Sequence, residues 1–252
     1  MNLRFSATGR SEVGLVRSKN EDAALINGAF IAIADGMGGH VGGETASKIA
    51  INSAAQLLPL LNNNDMDVDS IDDFLLNSIS EIDIDLKDAI SDDPSLAGMG
   101  TTFVGIALYR NRISILHIGD SRCYRLRKNK FELLTRDHTV VQDLLDQGAI
   151  TEKEISSHPQ RAMLTQALMG ENQIIPVIIE HEAKAGDKYL LCSDGLSNFV
   201  SFEEISSAVK DADTTNKLIE LAYKNGAPDN VTVIVGEVGE GDTETQFFGA
   251  AK

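Results

Sequence analysis

Four aspartates stand at the ends of apolar runs, each beside glycine or another turn-forming residue: Asp35 in Ala34-Asp35-Gly36-Met37-Gly38-Gly39, Asp120 in Gly119-Asp120-Ser121-Arg122, Asp194 in Ser193-Asp194-Gly195, and Asp229 in Pro228-Asp229-Asn230. A strand end holds a carboxylate in place, and glycine lets the backbone turn and bring a carbonyl toward a ligand. Any one of these dipeptides reads first as a turn. Their repetition at strand ends changes the reading, because a fold that gathers like charges at a half-buried edge needs a cation to compensate them. The chain has no histidine pair or cysteine cluster at zinc-ligand spacing, so magnesium or manganese suits these oxygen donors better than zinc or copper.

The rest of the pattern alternates in blocks. Residues 29–34 form a continuous apolar run, expected of a strand covered on both faces. Apolar spacing predicts one helix from 43 to about 61 and a second from 71 to about 90, ending near Pro94. Short strands are expected at 101–109, 113–118, 123–127 and 131–135, joined as an antiparallel meander. The polar, helix-prone stretch 137–170 is expected to form a flap over the main body. Strands return at 177–180 and 189–193, helices follow at 202–210 and 215–224, and a strand at 231–238 closes the fold. Blocks of this kind favour an α+β fold with antiparallel sheets over a parallel doubly wound one. The expected division is a domain over 1–238 and a Gly-rich polar tail or linker over 239–252, in which the acid-flanked Thr243 and Thr245 are candidate phosphorylation sites.

Composition narrows the partners. At 252 residues and 42% hydrophobic content the chain can bury one substantial core. Its 22 basic residues against 38 acidic ones leave a formal charge of -16, which disfavours nucleic acid and anionic membrane as general partners. An enzyme this acidic that attracts phosphate needs local positive charge, which bound cations could supply. Cys123 and Cys192 lie in apolar, strand-like runs and read as buried thiols rather than a disulfide framework. The N-terminus lacks an apolar signal core, and no run approaches the ~20 residues that span a bilayer. The expected setting is a reducing cytoplasm.

Six segments carry a resemblance when taken in order. Gly14-Leu15-Val16-Arg17-Ser18-Lys19-Asn20-Glu21-Asp22, the Ala-Asp-Gly-Met-Gly-Gly from Ala34, Gly100-Thr101-Thr102, Gly119-Asp120-Ser121-Arg122, Ser193-Asp194-Gly195-Leu196 and Asp229-Asn230-Val231-Thr232 resemble the motif series of the PPM family, the type 2C protein phosphatases. The stretch from His158-Pro159-Gln160-Arg161 to Gly170 is similar to bacterial members. The resemblance implies a four-layer αββα sandwich, two antiparallel sheets between helical layers, that hydrolyses phosphoserine and phosphothreonine with a water activated by two Mn2+ or Mg2+ ions and a third, weaker one. It implies that Asp35 bridges two metals, that Asp194 and Asp229 complete the first, that the Gly36 carbonyl contacts the second, and that Asp120 with Asp194 holds the third. Asp35 and Asp194 are then the catalytic carboxylates, Arg17 grips the phosphate, and Glu21 and Asp22 hold waters behind the metals. Implied partners are phosphorylated proteins, among them a cognate serine/threonine kinase and its substrates, met by a monomer.

One position departs from the family. Eukaryotic members carry a histidine where Met37 stands, proposed as general acid for the leaving alkoxide. Methionine has no proton to give, so that role falls to a metal-bound water or to His40 or His138. Two rival readings compete with catalysis: a binding module that keeps the fold without activity, and a dinucleotide-binding protein suggested by the glycines of 36–42. The latter lacks correct glycine spacing and an acidic residue ~20 positions on. Cysteine-based phosphatase chemistry is excluded, since neither cysteine lies in a His-Cys-x5-Arg signature.

Overall fold

The computed structural model describes residues 3–38, 42–63, 67–171, 174–241 and 243–252. Two sheets face each other. The first orders β1 (Arg4–Glu12), β11 (Val231–Gly239), β10 (Lys188–Cys192), β7 (Arg122–Arg127) and β8 (Lys130–Leu133). The second orders β12 (Gln246–Gly249), β2 (Asp22–Ile26), β3 (Phe30–Met37), β5 (Phe103–Tyr109), β6 (Arg112–Ile118) and β9 (Val177–Glu182), with β4 (Gly100–Thr101) paired to the end of β3. Among the described residues every strand pairing is antiparallel, which removes the parallel dinucleotide-binding reading.

Side-chain alternation builds the layers. Along β3, Phe30, Ala32 and Ala34 pack toward α1 (Gly42–Ala55) and α3 (Val68–Asp92), while Ile31 and Ile33 pack between the sheets. The unbroken apolar run of 29–34 therefore serves two cores at once. Outside the first sheet, Leu190, Cys192, Val231, Val233 and Val235 meet α6 (Asp194–Ser197), α7 (Phe202–Ala208) and α8 (Thr214–Lys224) in a third core. Three cores between four layers give the expected α+β sandwich.

Local expectations needed correction in three places. The helix expected over 43–61 is two, because Pro59 lies in the first turn of α2 (Leu58–Leu61) and has no N–H with which to extend α1. The meander is split: β5 and β6 pair in one sheet, β7 and β8 in the other, and Gly119-Asp120-Ser121 crosses between them. The expected polar tail contains β12, which pairs with β2 from Gln246↔Ile26 to Gly249↔Ala23, and Phe247 and Phe248 pack on separate cores. That aromatic pair supplies the apolar contact needed to order an otherwise polar segment.

Residues 137–170 carry α4 (Val140–Asp146) and α5 (Glu152–Ile155) and few buried side chains. Their exit is tied down by a Thr101↔Leu168 bridge and by Asp83 of α3, whose Oδ1 accepts from the N–H groups of Met169 (3.2 Å) and Gly170 (2.7 Å). Among the described residues no helix is long and apolar enough to cross a membrane.

Candidate metal centre

Asp22 and Asp35 are register partners at one end of β2 and β3. Continuing the alternation of Ile31 and Ile33 on one strand, and of Ala24 and Ile26 on the other, turns both carboxylates into the space between the sheets. The opposite sheet supplies the others: Asp194 follows β10 at the start of α6, Asp229 precedes β11, and Asp120 lies in the crossover. Distant segments thus meet in one cleft of about 310 Å3, walled by Asp35, Asp120, Asp194, Asp229, Arg17 and Glu21, with Gly36 and Met37 between them.

Backbone packing brings these walls close. A Cβ on Gly36 would lie 2.0 Å from the Gly43 carbonyl oxygen and 2.5 Å from that of Glu21, and one on Gly195 would lie 1.9 Å from the Asn230 carbonyl oxygen. Only glycine permits either approach. Asp35 is braced by Thr102, whose Oγ1 accepts from the Asp35 N–H (3.1 Å) and sits 2.8 Å from Ser121 Oγ.

The electrostatics are those of crowded carboxylates that Arg17 and Arg122 offset only in part. Burial, reinforced by Asp22, Asp194, Asp120 and Asp229, holds the Asp35 carboxyl well above the usual range. Burial raises Asp22 and Asp120 to about 7 each and Asp194 to about 6, and neighbouring carboxylates add to each shift. Asp35, Asp120, Asp194 and Asp229 each keep one face open to the cleft, whereas Asp22 is fully enclosed. Asp22 Oδ2 accepts from Ser193 Oγ (2.8 Å), but its buried Oδ1 has no hydrogen-bond partner among the described residues. An all-oxygen donor set, mutual repulsion and an orphaned buried carboxylate oxygen fit hard divalent cations. Asp35, Asp194, Asp229, Asp120 and the Gly36 carbonyl are the groups that would hold them.

Arg17 lies at the cleft mouth, its side chain 54% exposed, and donates to Asp229 Oδ2 at 2.7 Å. Glu21 reaches the cleft from the same loop. The two histidines proposed as proton donors fare differently. His40 lies outside the described residues. His138 does not line the cleft: its Nδ1 accepts from the Gly119 N–H (3.2 Å), its ring lies 4.8 Å from that of His117, and it is 6% exposed. Cys123 and Cys192 are free thiols in the core, and burial drives both pKa values up, Cys192 to about 12.

Several residues that matter to the site were not among the expected ones. Asn230 Oδ1 accepts from the Glu21 N–H (2.8 Å), and its Nδ2 donates to the carbonyls of Val13 (2.9 Å) and Lys19 (2.8 Å). It therefore fastens the loop that carries Arg17. Arg122 grips Asp137 through Nε (2.9 Å) and Nη2 (2.6 Å), anchoring the start of 137–170 beside Asp120. Both residues flank a motif aspartate in the chain, which was the available signal. Ala162 and Leu164 reach the cleft from 137–170, and no local pattern announced them.

The sequence and the fold both resemble those of known proteins. The family model described as "Protein phosphatase 2C" matches residues 17–227. "Serine/threonine protein phosphatase PstP" of Mycobacterium tuberculosis is 42% identical over 254 aligned positions, covering 98% of this chain and 48% of that protein. The chain thus spans about half the length of that relative. "Protein phosphatase PhpP" of Streptococcus pneumoniae is 33% identical, covering 93% of this chain and 98% of its own. Among solved structures, the catalytic domain of PstP in complex with two manganese ions superposes with a TM-score of 0.85 at 39% identity, covering 94% of this chain and all of that one. Stp1 of Staphylococcus aureus superposes at 0.84 with 30% identity, covering 93% and 95%. With a family model matched over residues 17–227 and relatives 33% and 42% identical across nearly all of its length, this chain belongs to the protein phosphatase 2C family.

Proposed function

We propose that the chain is a metal-dependent phosphomonoester hydrolase acting on phosphoserine and phosphothreonine in proteins. The observation that carries the reading is the convergence of four carboxylates from both sheets on one cleft with an arginine at its mouth. The manganese in the PstP structure extends to this chain as two Mn2+ or Mg2+ ions, with Asp120 and Asp194 offering a third, weaker position.

Bound divalent cations lower the pKa of water, orient it in line with phosphorus and neutralise charge that develops on the phosphoryl oxygens. The residues supply the rest. Asp35 and Asp194 hold the centre together across the two sheets, and Asp229 contributes from the strand beside them. Arg17 presents a planar, partly free guanidinium to the phosphate oxygens, a geometry suited to a two-point grip. Its hold on Asp229 is solvent-accessible and therefore readily exchanged. Glu21 lines the cleft and is placed to accept hydrogen bonds from waters at its side, while Asp22 stands enclosed behind Asp35 and adds negative charge to the centre. Leu15 and Val16, 62% and 71% exposed, precede Arg17 on the same loop and offer apolar surface to a protein substrate. As the P–O ester bond breaks and the water oxygen joins phosphorus, the departing alkoxide needs a proton that Met37 does not have and that His138, engaged with Gly119 and outside the cleft lining, is not placed to give, which leaves water or His40 as the donor.

Expected partners are phosphorylated proteins, including a cognate serine/threonine kinase and its targets, encountered by a monomer in the cytoplasm. The deciding experiment measures turnover of a phosphothreonine peptide with manganese, with magnesium and with excess chelator. Activity is expected only with a metal. Equal turnover in chelator would sink the metal mechanism, and manganese binding without turnover would favour a module that keeps the fold alone.

A further inference from the structure

The end of the sandwich away from the acidic cleft carries the reverse charge. Between the β7–β8 turn and the β9–β10 turn lies a groove of about 990 Å3, three times the volume of the acidic cleft. Arg125, Arg127, Lys128, Lys130 and Lys184 line it, against the carboxylates of Glu132 and Asp187. In a chain whose acids outnumber its bases 38 to 22, this concentration of cations is a local reversal.

Floor and rim differ in chemistry. Arg127 is clamped by Asp187 through Nε (2.8 Å) and Nη2 (2.6 Å) and also donates to the Glu182 carbonyl (2.7 Å), and Arg125 pairs with Glu132. Those arginines are tied into the wall. Lys128, Lys130 and Lys184 stand exposed on the rim. The Lys130 and Lys184 side chains are 77% and 56% accessible, and their contacts to Glu132 and Glu182 are surface ion pairs. Such solvent-exposed pairs are weak, so an incoming carboxylate can replace them.

The backbone adds an independent observation. Lys128 opens the two-residue β7–β8 turn with φ +57°, and Arg110 opens the neighbouring β5–β6 turn with φ +56°. The second turn abuts the groove's edge, where the Ala183 N–H donates to the Asn111 carbonyl (2.7 Å). Left-handed backbone favours glycine and strains other residues. Lys128 thus puts a cation on the groove's rim where turn chemistry favours glycine, the kind of local cost that persists at functional surfaces, whereas Arg110 lies over the Tyr109 ring at 5.4 Å.

We propose that this groove docks a carboxylate-rich segment of a protein substrate. A concave trough rimmed by lysines suits an extended acidic chain better than a flat lipid surface. Strand β10 joins the two ends of the molecule, with Asp187 before it and Asp194 after it. Seven residues at ~3.3 Å each place the groove roughly 23 Å from the aspartate cleft. A docked segment tethers the phosphorylated residue nearby, raising its effective concentration without touching the chemistry. The groove itself stands on its own geometry, and only the turnover arm of the test rests on the phosphatase reading.

The first arm needs no turnover. Binding of a fluorescent Asp/Glu-rich peptide to the metal-free protein is expected to saturate and to weaken at least about tenfold between low and high salt, as exposed charges are screened. It should vanish in the triple variant Lys128→Glu, Lys130→Glu, Lys184→Glu, whose melting temperature should stay near that of the parent because all three side chains are exposed. The second arm compares a phosphothreonine peptide with the same peptide joined to an acidic segment through about 16 flexible residues, whose root-mean-square reach of 5–6 Å × √n spans the separation. The extension is expected to lower KM about fivefold or more with kcat unchanged, and the triple variant should erase that advantage while hydrolysing the bare peptide normally. No binding, binding that survives in the triple variant, or equal KM for the two peptides overturns the proposal. Attachment to phosphatidylserine vesicles without peptide binding assigns the surface to membrane and overturns it too. If the bare peptide is not hydrolysed at all, the phosphatase reading falls and the binding arm alone decides the groove.

Discussion

Asp194 sits where three demands meet: it faces the other cleft aspartates, starts α6, and accepts from Asn198 Nδ2 at 3.0 Å. Substituting Asn keeps the shape and an acceptor while deleting the charge. Asp194→Asn is expected to lower kcat by about 100-fold or more, the scale seen when one group that stabilises developing charge is lost. Without metal the same variant should melt ~2–4 °C higher than the parent near neutral pH, equivalent to relieving about 1 kcal/mol of like-charge repulsion. Differential scanning fluorimetry in chelator reads this directly. A marked drop in the metal-free melting temperature would make Asp194 a structural residue instead.

The loop between β1 and β2 is the element on which phosphate recognition depends, because it carries Arg17 and Glu21 and has no regular hydrogen-bonded structure of its own over 13–20. Its shape comes from the other end of the chain. Gly14 adopts φ +83°, the Leu15 N–H donates to the Ala227 carbonyl (2.8 Å), and Asn230 makes three bonds to the loop backbone. Asn230→Ala removes those three bonds at about 1 kcal/mol each, so a loss of ~3 kcal/mol is expected in urea unfolding. KM for phosphopeptide should rise because Arg17 loses its support. An unchanged KM would show that the loop holds its shape without Asn230.

Across the whole molecule, the cleft makes metal-free stability fall as pH rises. Unfolded aspartates titrate near ~3.9. Asp22 and Asp120 at about 7, and Asp194 at about 6, keep protons in the fold that the unfolded chain has released. Between about pH 4 and 7 the folded state therefore binds more protons, and stability present below that window is progressively lost through it. Glu132, drawn down to about 2 by Lys130 and Arg125, acts in the opposite sense and in a lower window. Divalent metal should cancel the neutral-pH loss by replacing protons, adding ~2.7 kcal/mol at 100 times its Kd. Melting curves from pH 4 to 8, with chelator and with manganese, test this. A metal-free melting temperature that climbs over that range contradicts the clustered-carboxylate picture.

Read alone, the chain was informative about whatever has a local signature. Short apolar runs bounded by turn residues located most strands, apolar spacing located α3 and α8, and the turn-flanked aspartates named Asp35, Asp120, Asp194 and Asp229 before their convergence was visible. Their order along the chain also pointed to the family. Pairing partners carry no such signature, since strand membership of a sheet is settled by contacts far away in sequence. For that reason the split of β5–β6 from β7–β8, the docking of β12 on β2, and the roles of Asn230 and Arg122 emerge only in three dimensions. The same holds for charge. A total of -16 is additive and readable from composition, but the fold sorts that charge by place, gathering carboxylates at one end of β10 and lysines at the other.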